Sequence, residues 1–460
     1  MRTIVDSNHV LQQGLQDIRQ QYQIADSFPD DVLAAAKIAA SRAPNAHIDR
    51  TDTPFVTLDP ATSVDLDQAF SIERSGNDLL LHYAIADVAW FVSDGDALDI
   101  EAWRRGTTQY LPDGKAGLYP PSLSEAAASL LPDGPRAAVV FTVRVDPLGA
   151  VKLDRAERAI IRSRAKLGYD SVQDSQLPPE FAELSQRIQT AEQARGATRL
   201  DSPEQEVVQR DGGFELTISP PLLSETRNAA MSLATNLAIA DVLHANGTGL
   251  FRIMAGPDDA AINRLRATAT AFDLVWPAEQ SLAEYQKTLR ASDPKQAALM
   301  LAIRRAGARA LYAPYHAGVV PWHAAMAATY SHATAPLRRL ADRYVVQATL
   351  AIMNGRDVPD AVTQAFEKLP RIMAKADALG GQIERAVIDL AEAAILQNKV
   401  GEIFAAVVTD KDERGARVQL HDYAVVTRIE AHSVAPGDRI RVQLTGVDMH
   451  KRKADFKHVG

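Results

Sequence analysis

The sequence predicts a mixed α/β (α+β) architecture in three parts: a short helical N-terminal module over residues 1–45, a large α/β domain over 46–395 and an all-β OB-type barrel over 396–460. Three observations carry this. Two helical stretches precede the first strand signal, strand-like runs and then Ala/Leu-rich helical spacing fill the middle, and short alternating runs split by Gly-rich turns follow Lys399. A chain of 460 residues also exceeds what one compact core organises.

In chain order, helices are expected at His9–Tyr22 and Asp30–Ser41, separated by Asp26-Ser27-Phe28-Pro29, with Asp30 or Ser27 placed to cap the second. Such a pair resembles a helix-turn-helix-like piece. Pro44-Asn45 breaks helix, and Phe55–Leu58, Ala69–Glu73 and Leu79–Ile85 read as strands, the last two joined at Gly76-Asn77-Asp78. Tyr110 to Pro135 is dense in Pro and Gly and reads as a long ordered loop. Ala137–Val145 and Lys152–Arg162 resume strand character around a Pro147-Leu148-Gly149 turn. From Asp170 to Lys399 the pattern is mostly helical, interrupted by strand-like Gly213–Ser219 and Leu250–Met254. The runs Phe404–Thr409, Ala416–Leu420, Ala424–Ile429 and Asp438–Gly446 suit an OB-type barrel, a fold often used to hold single-stranded nucleic acid. The tail Lys451-Arg452-Lys453 with Lys457-His458 is either a solvated charge run or a basic contact surface.

Composition excludes several classes. With no cysteine, there are no disulfides, no thiolate catalysis and no cysteine-ligated zinc. The N-terminus lacks a basic segment followed by an apolar one, and no stretch approaches the roughly 20 apolar residues of a membrane span, so a soluble, cytoplasmic protein is expected, with no membrane partner. A net charge of −8 speaks against a protein that coats duplex DNA. It is compatible with an enzyme whose basic groups line only a channel.

The strongest chemical signal is Leu58-Asp59-Pro60-Ala61-Thr62-Ser63-Val64-Asp65-Leu66-Asp67-Gln68-Ala69. Asp59 ends a strand at an Asp-Pro turn, and Asp65 and Asp67 alternate, so an extended backbone points both to one side. Three like charges this close repel, and a divalent cation resolves the conflict. Hard carboxylate oxygens suit magnesium, with manganese as the alternative. Two such ions could hold a phosphodiester, activate water and stabilise the leaving oxygen. A solvated acidic turn or a structural calcium loop is the competing interpretation. Further along, Thr334-Ala335-Pro336 reads as a helix start with Thr334 at the N-cap, which places Arg338 and Arg339 one turn in, where phosphate is favoured. The competing role for that pair is solvation or a salt bridge to Asp342.

Asp59 to Ala69 resembles the signature of the ribonuclease II (RNB) family, and further segments follow in that family's order. They are His82-Tyr83-Ala84-Ile85-Ala86-Asp87-Val88, Tyr110-Leu111-Pro112, Tyr119-Pro120-Pro121-Ser122-Leu123-Ser124-Glu125, Ile161-Arg162-Ser163-Arg164-Ala165-Lys166-Leu167-Gly168-Tyr169 and Tyr330-Ser331-His332-Ala333-Thr334-Ala335-Pro336-Leu337-Arg338-Arg339. The resemblance implies an RNB-type catalytic domain. Its expected activity is processive, metal-dependent 3′ to 5′ hydrolysis of single-stranded RNA to nucleoside 5′-monophosphates, by a monomer. The family's paired N-terminal OB domains do not fit before residue 46.

Carried over, Asp59, Asp65 and Asp67 take metal and catalytic roles. Gln68 stands where the family has a fourth aspartate. As a neutral carbonyl donor to a metal or its water, it implies a more weakly held second ion. Arg338 is expected to clamp the phosphate and stabilise the transition state. Arg339 stands beside it as a second RNA contact. Tyr110 is expected to stack on a base, and Phe251 is the candidate for a second face. Without the resemblance, both aromatics would be assigned to core packing. Glu384, in Gln382-Ile383-Glu384-Arg385-Ala386, resembles the family's late Glu that faces the nucleotide end, or is a surface residue. The series Arg155, Arg158, Arg162, Arg164 lines a phosphate track or a charged outer face. Two rivals stand beside the nuclease: an RNA-binding protein of the same fold that lost catalysis through Gln68, and a metal-dependent phosphatase acting on small phosphoesters.

Overall fold

The computed structural model describes residues 3–5, 10–197, 204–210, 213–219, 222–286, 288–290, 293–307, 309–412, 415–421, 423, 425–431 and 433–459. His9 and Ala424, expected at the starts of a helix and a strand, lie outside them.

A seven-stranded mixed sheet organises the large domain, in the order Ser163–Gly168, Phe55–Asp59, Gln68–Ser75, Asp78–Ala86, Arg136–Val145, Val151–Ile161, Ile48–Asp49. Pairing is antiparallel through the centre and parallel only where the two outermost strands join. The Ala137-Ala138-Val139-Val140-Phe141 run is buried throughout, as expected of a strand covered on both faces. The Pro147-Leu148-Gly149 turn forms as expected, with Gly149 at φ 81° and Asp146 Oδ1 accepting from the Leu148 and Ala150 amides.

Helix Leu223–Ala245 lies across three of the central strands. Residues 233–240 of it are all buried, which makes that stretch a core segment, while Leu223, Asp241 and Ala245 near its ends are exposed. Helix Leu340–Met353 packs against it. The strands Leu250–Ile253 and Leu311–Pro314 pair with each other, and the helices Asp259–Ala271 and Pro294–Ala306 are inserted between them around a small core of their own.

Two expectations at the N-terminus change. Pro29 occupies the N-cap position of helix Asp30–Ala40 with no side-chain cap, so neither Asp30 nor Ser27 serves there. The two helices also do not form one module. Val32, Ala36 and Ala39 join the main core, while Leu11, Leu15 and Ile18 of helix Val10–Gln21 join a second core with Ile383, Leu390 and the C-terminal barrel. A Cβ at Gly14 would fall 2.6 Å from Leu390 Cδ1, so glycine there lets the first helix seat on the long helix Asp360–Leu396. Thr3–Val5 adds an unanticipated strand to Gly213–Ser219.

The barrel has five strands, ordered Val426–Ile429, Gly415–Leu420, Ile403–Asp412, Arg439–Asp448, Lys453–His458. Its two outermost strands come against one another, which nearly closes it. The basic tail thus comprises the turn at Lys451-Arg452 and the fifth strand, with Phe456 turned into the core.

Candidate active site

The site grows from the end of strand Phe55–Asp59. Pro60 stops the ladder, the chain turns with Ser63 N–H donating to Pro60 O at 2.9 Å, and Ser129 holds the rest of the loop. Ser129 Oγ accepts from Leu66 N–H at 2.9 Å and donates to Val64 O at 2.7 Å. Leu66 is fully buried, so the alternation expected of Asp65 and Asp67 holds around it: the leucine enters the core and the carboxylates face other elements.

Those elements differ for each acid. Asp65 meets the hairpin Gln109–Leu111/Gly114–Ala116, where Lys115 Nζ lies 2.7 Å from Oδ1 and Tyr110 Oη donates to Oδ2 at 3.4 Å. Asp67, nearly buried, accepts from Leu337 N–H at 2.7 Å, and Arg338 Nε lies 3.4 Å from its Oδ2. Asp59 is partly buried, and its Oδ2 is sealed from solvent with no hydrogen-bond partner among the described residues. Burial pushes the Asp59 carboxyl up to about 7, opposed by Arg338 and reinforced by the like charge of Asp65. Burial also pushes Asp67 up to about 7, against Arg338 and the Leu337 amide.

Among the described residues, no three acidic or imidazole side chains converge as a preformed cation cage. The donor set nonetheless fits a hard cation. An orphaned carboxylate oxygen on Asp59, beside two further carboxylates, matches magnesium, which takes one or two carboxylates and completes its shell with water and phosphate oxygens.

A polar cavity opens next to this cluster, walled by Gln68, Tyr169, Glu225, Asn228, Ser232, Asn236, Tyr330, Thr334, Arg338 and Arg339. Arg338 keeps 43% of its side chain exposed, so it touches Asp67 and still faces the cavity. Arg339 differs. Its Nε and Nη2 both donate to Asp342, at 3.0 and 2.6 Å, so the salt bridge forms, while the residue also lines the cavity. The expected helix start at Thr334 is also corrected. Residues 336–338 form a turn, with the Arg338 and Arg339 amides both donating to Ala335 O, Arg339 bridges to Thr107, and the helix begins at Leu340. Asp342 takes the Ala335 N–H at 2.8 Å, which closes that amide to phosphate.

Tyr110 is 54% exposed, which removes the core-packing alternative, and its hydroxyl reaches Asp65 in the acidic loop. Phe251 is the opposite case: it is fully buried in the main core, edge-on to His244, and has no face for a base. Glu384 is exposed on the long helix Asp360–Leu396. That helix passes close to the Tyr110 hairpin one turn earlier, where a Cβ at Gly380 would lie 3.0 Å from Gln109 Oε1. The arginine series is mostly tied down locally: Arg158 to Asp87 at 2.7 Å, Arg155 to Glu157 at 3.5 Å, and Arg164 to the carbonyls of Thr51 and Asp52. A charged outer face describes it better than a phosphate track.

Several site groups escaped the sequence. Lys115 lies in a Pro/Gly-dense stretch with nothing to single it out. Asn228 and Ser232 sit among apolar helix residues, and the Leu337 donor is a backbone amide. Gln68 lines the cavity, but its Oε1 accepts from Ser232 Oγ at 2.9 Å and also from Tyr83 Oη, so the oxygen expected to face a cation is turned to two hydroxyls.

Among the described residues, no helix is long and apolar enough to cross a membrane. Residues 47–354, more than half of the chain, match the RNB domain, and residues 402–459 match the RNase II-type exonuclease C-terminal S1 domain. Ribonuclease R of Aquifex aeolicus is 24% identical over 492 residues, covering 96% of this chain and 69% of its own. Ribonuclease R of Thermotoga maritima is 26% identical over 436 residues, covering 86% of this chain and 60% of its own. Mycoplasma genitalium RNase R, solved in complex with ribose methylated single-stranded RNA, superposes with a TM-score of 0.87 at 21% identity, over 99% of this chain and 79% of its own. This chain belongs to the RNB-domain family and carries an S1 domain of the RNase II type at its C-terminal end.

Proposed function

We propose that the protein is a divalent-cation-dependent exoribonuclease that hydrolyses single-stranded RNA processively from its 3′ end to nucleoside 5′-monophosphates. The observation that carries this is the facing of two buried carboxyls, Asp59 and Asp67, by one half-exposed arginine, Arg338, which also walls a polar cavity. The single-stranded RNA in the related Mycoplasma structure supports the substrate class.

Asp59 and Asp67 would hold the cation, with Asp65 beside them; magnesium or manganese there supplies Lewis acidity toward a phosphodiester oxygen and an acidified water. The chain's own groups do the rest. Leu337 N–H and Ser129 fix the carboxylates in place, Arg338 offers its guanidinium to the phosphate, and Lys115 with Tyr110 Oη holds Asp65. Although the residue is half-exposed, desolvation of its hydroxyl end against the acidic loop and the Asp65 charge hold the Tyr110 phenol protonated well above its ordinary value, so its hydroxyl acts as a donor and not as a base.

The raised carboxyls give a pH dependence with a definite sign. Asp59 and Asp67 keep their protons to about 7 in the fold but lose them near 3.8 when unfolded, so without added cation they make the fold less stable as pH rises between those values. A cation needs both ionised. Magnesium affinity is therefore expected to be at least about tenfold weaker near pH 6 than near pH 8, with proton release on binding. Titration calorimetry in buffers of different ionisation enthalpy measures both; a pH-independent affinity would remove these acids from the cation site.

Stacking by Tyr110 has its own test. Tyr110→Ala should weaken binding of short RNAs by roughly 1–3 kcal/mol, while Tyr110→Phe changes little because the ring does the stacking. The melting temperature should stay nearly constant, since the ring is exposed. A large drop in melting temperature would instead make Tyr110 a packing residue.

The second reading, an RNA-binding protein without catalysis, is favoured by Gln68, whose oxygen is engaged away from any cation. A 5′-labelled single-stranded RNA incubated with magnesium separates the two. Stepwise shortening to a small limit product supports the nuclease, a gel shift with intact RNA supports the binder, and internal cleavage contradicts both.

A further inference from the structure

Lys115 lies in the short hairpin Gln109–Leu111/Gly114–Ala116, and its Nζ stands between two carboxylates, 2.7 Å from Asp65 Oδ1 and 3.1 Å from Glu125 Oε1. The hairpin is held in place. Leu111 and Ala116 bury their side chains in the second core, and Asp113 at the hairpin turn accepts from Arg19 Nη2 at 2.9 Å. Glu125 belongs to the helical turn Leu123–Ala127, just before Ser129, which fixes the acidic loop through Leu66 N–H and Val64 O. The side chains of Lys115, Asp65 and Glu125 are all mostly covered from solvent, so this contact is not a loose surface pair.

The lysine puts a positive charge where a second metal ion would have to sit. Two ions acting on one phosphodiester both need carboxylate oxygens. Of the acidic loop, Asp65 already has an ammonium on Oδ1 and the Tyr110 hydroxyl on Oδ2, whereas Asp59 and Asp67 share only the half-exposed Arg338 as a counter-charge. The charges agree with one ion. Four carboxylates, Asp59, Asp65, Asp67 and Glu125, face two basic side chains, Arg338 and Lys115, and the excess of two negative charges at full ionisation is what a single divalent cation neutralises.

We propose that Lys115 is a built-in counter-cation: its ammonium takes the place of a second divalent ion between Asp65 and Glu125 and leaves a single-ion centre at Asp59 and Asp67. Lys115 acts through Asp65, as a positioning residue. The inference rests on the cation-dependent exoribonuclease reading for the first ion, and it replaces the expectation of two ions. Removing the ammonium leaves two carboxylates that faced one point, a pair that suits a hard divalent ion whose shell is completed by water.

Counting bound ions without RNA tests this, with Mn2+ alone as the probe and the free ion read by electron paramagnetic resonance. The parent should bind one Mn2+ per chain. Lys115→Met, which keeps the aliphatic stem and loses the charge, should bind one more, and adding Glu125→Gln to that variant should remove the gained ion. Asp65→Asn should leave the parent's count unchanged and its affinity within about threefold, because Lys115 keeps Glu125 as a partner; it serves if Lys115→Met does not fold. A parent that binds two ions, a Lys115→Met variant that gains none, a gained ion that survives Glu125→Gln, or loss of the parent's ion in Asp65→Asn overturns the proposal. A parent that binds no Mn2+ would sink the cation-dependent reading, while the gain or lack of an ion in Lys115→Met would still decide the role of Lys115.

Discussion

Replacing Asp67 with asparagine is expected to lower turnover by roughly a thousandfold or more, the several kcal/mol a bound cation contributes to transition-state charge, with RNA affinity kept within about threefold. Asparagine preserves an oxygen for the Leu337 N–H, so the loop should stay in place. What is lost is the charge that faces Arg338 and is available to a cation. Single-turnover rates and a binding titration on the same RNA check this, and equal losses in both would mean that Asp67 supports RNA and not the cation.

The second large effect concerns Asp342, which lies outside the acidic loop. Its fully buried carboxylate accepts from Arg339 Nε and Nη2 and from Ala335 N–H, and this holds the turn that delivers the Leu337 amide to Asp67. Asp342→Ala leaves an uncompensated arginine and an unsatisfied amide, and should cost about 3–5 kcal/mol of stability. Turnover should fall even where the variant is fully folded, because Arg338 and Leu337 are carried by the same turn. Chemical denaturation followed by kinetics on the folded population tests both parts; a loss below about 1 kcal/mol would show the clamp to be unimportant.

The particular residues explain what the sequence could and could not disclose. Asp59, Asp65 and Asp67 lie within one loop, so their mutual repulsion was legible from local spacing alone. Their partners were not. Arg338 and Leu337 approach Asp67 from about 270 residues away, a pairing that exists only once the turn at 336–338 folds against the acidic loop. The misplaced helix start at Thr334 has the same origin: Thr-Ala-Pro is a sound local signal, but the Asp342 carboxylate captured the Ala335 amide and moved the first helical turn to Leu340. Phe251 and Tyr110 show how little residue type says about an aromatic. One belongs to the strand Leu250–Ile253 and is buried among core residues, and the other is exposed on a three-residue hairpin strand. Gln68 was conspicuous as a neutral residue in an acidic run, yet the direction of its amide depends on Tyr83 and Ser232. The split of the first two helices between two cores was likewise invisible, because Leu11, Leu15 and Ile18 are generic apolar positions until the long helix is there to receive them.

The central claim is that these carboxylates and Arg338 act on the 3′ end of single-stranded RNA. It is tested most directly by following a single-stranded RNA labelled in its 3′-terminal nucleotide through the first turnover in magnesium. The account predicts that the label appears first as a nucleoside 5′-monophosphate, that EDTA abolishes its release, and that Asp67→Asn does the same. Label released first in longer oligonucleotides, or as a nucleoside 3′-monophosphate, would contradict it.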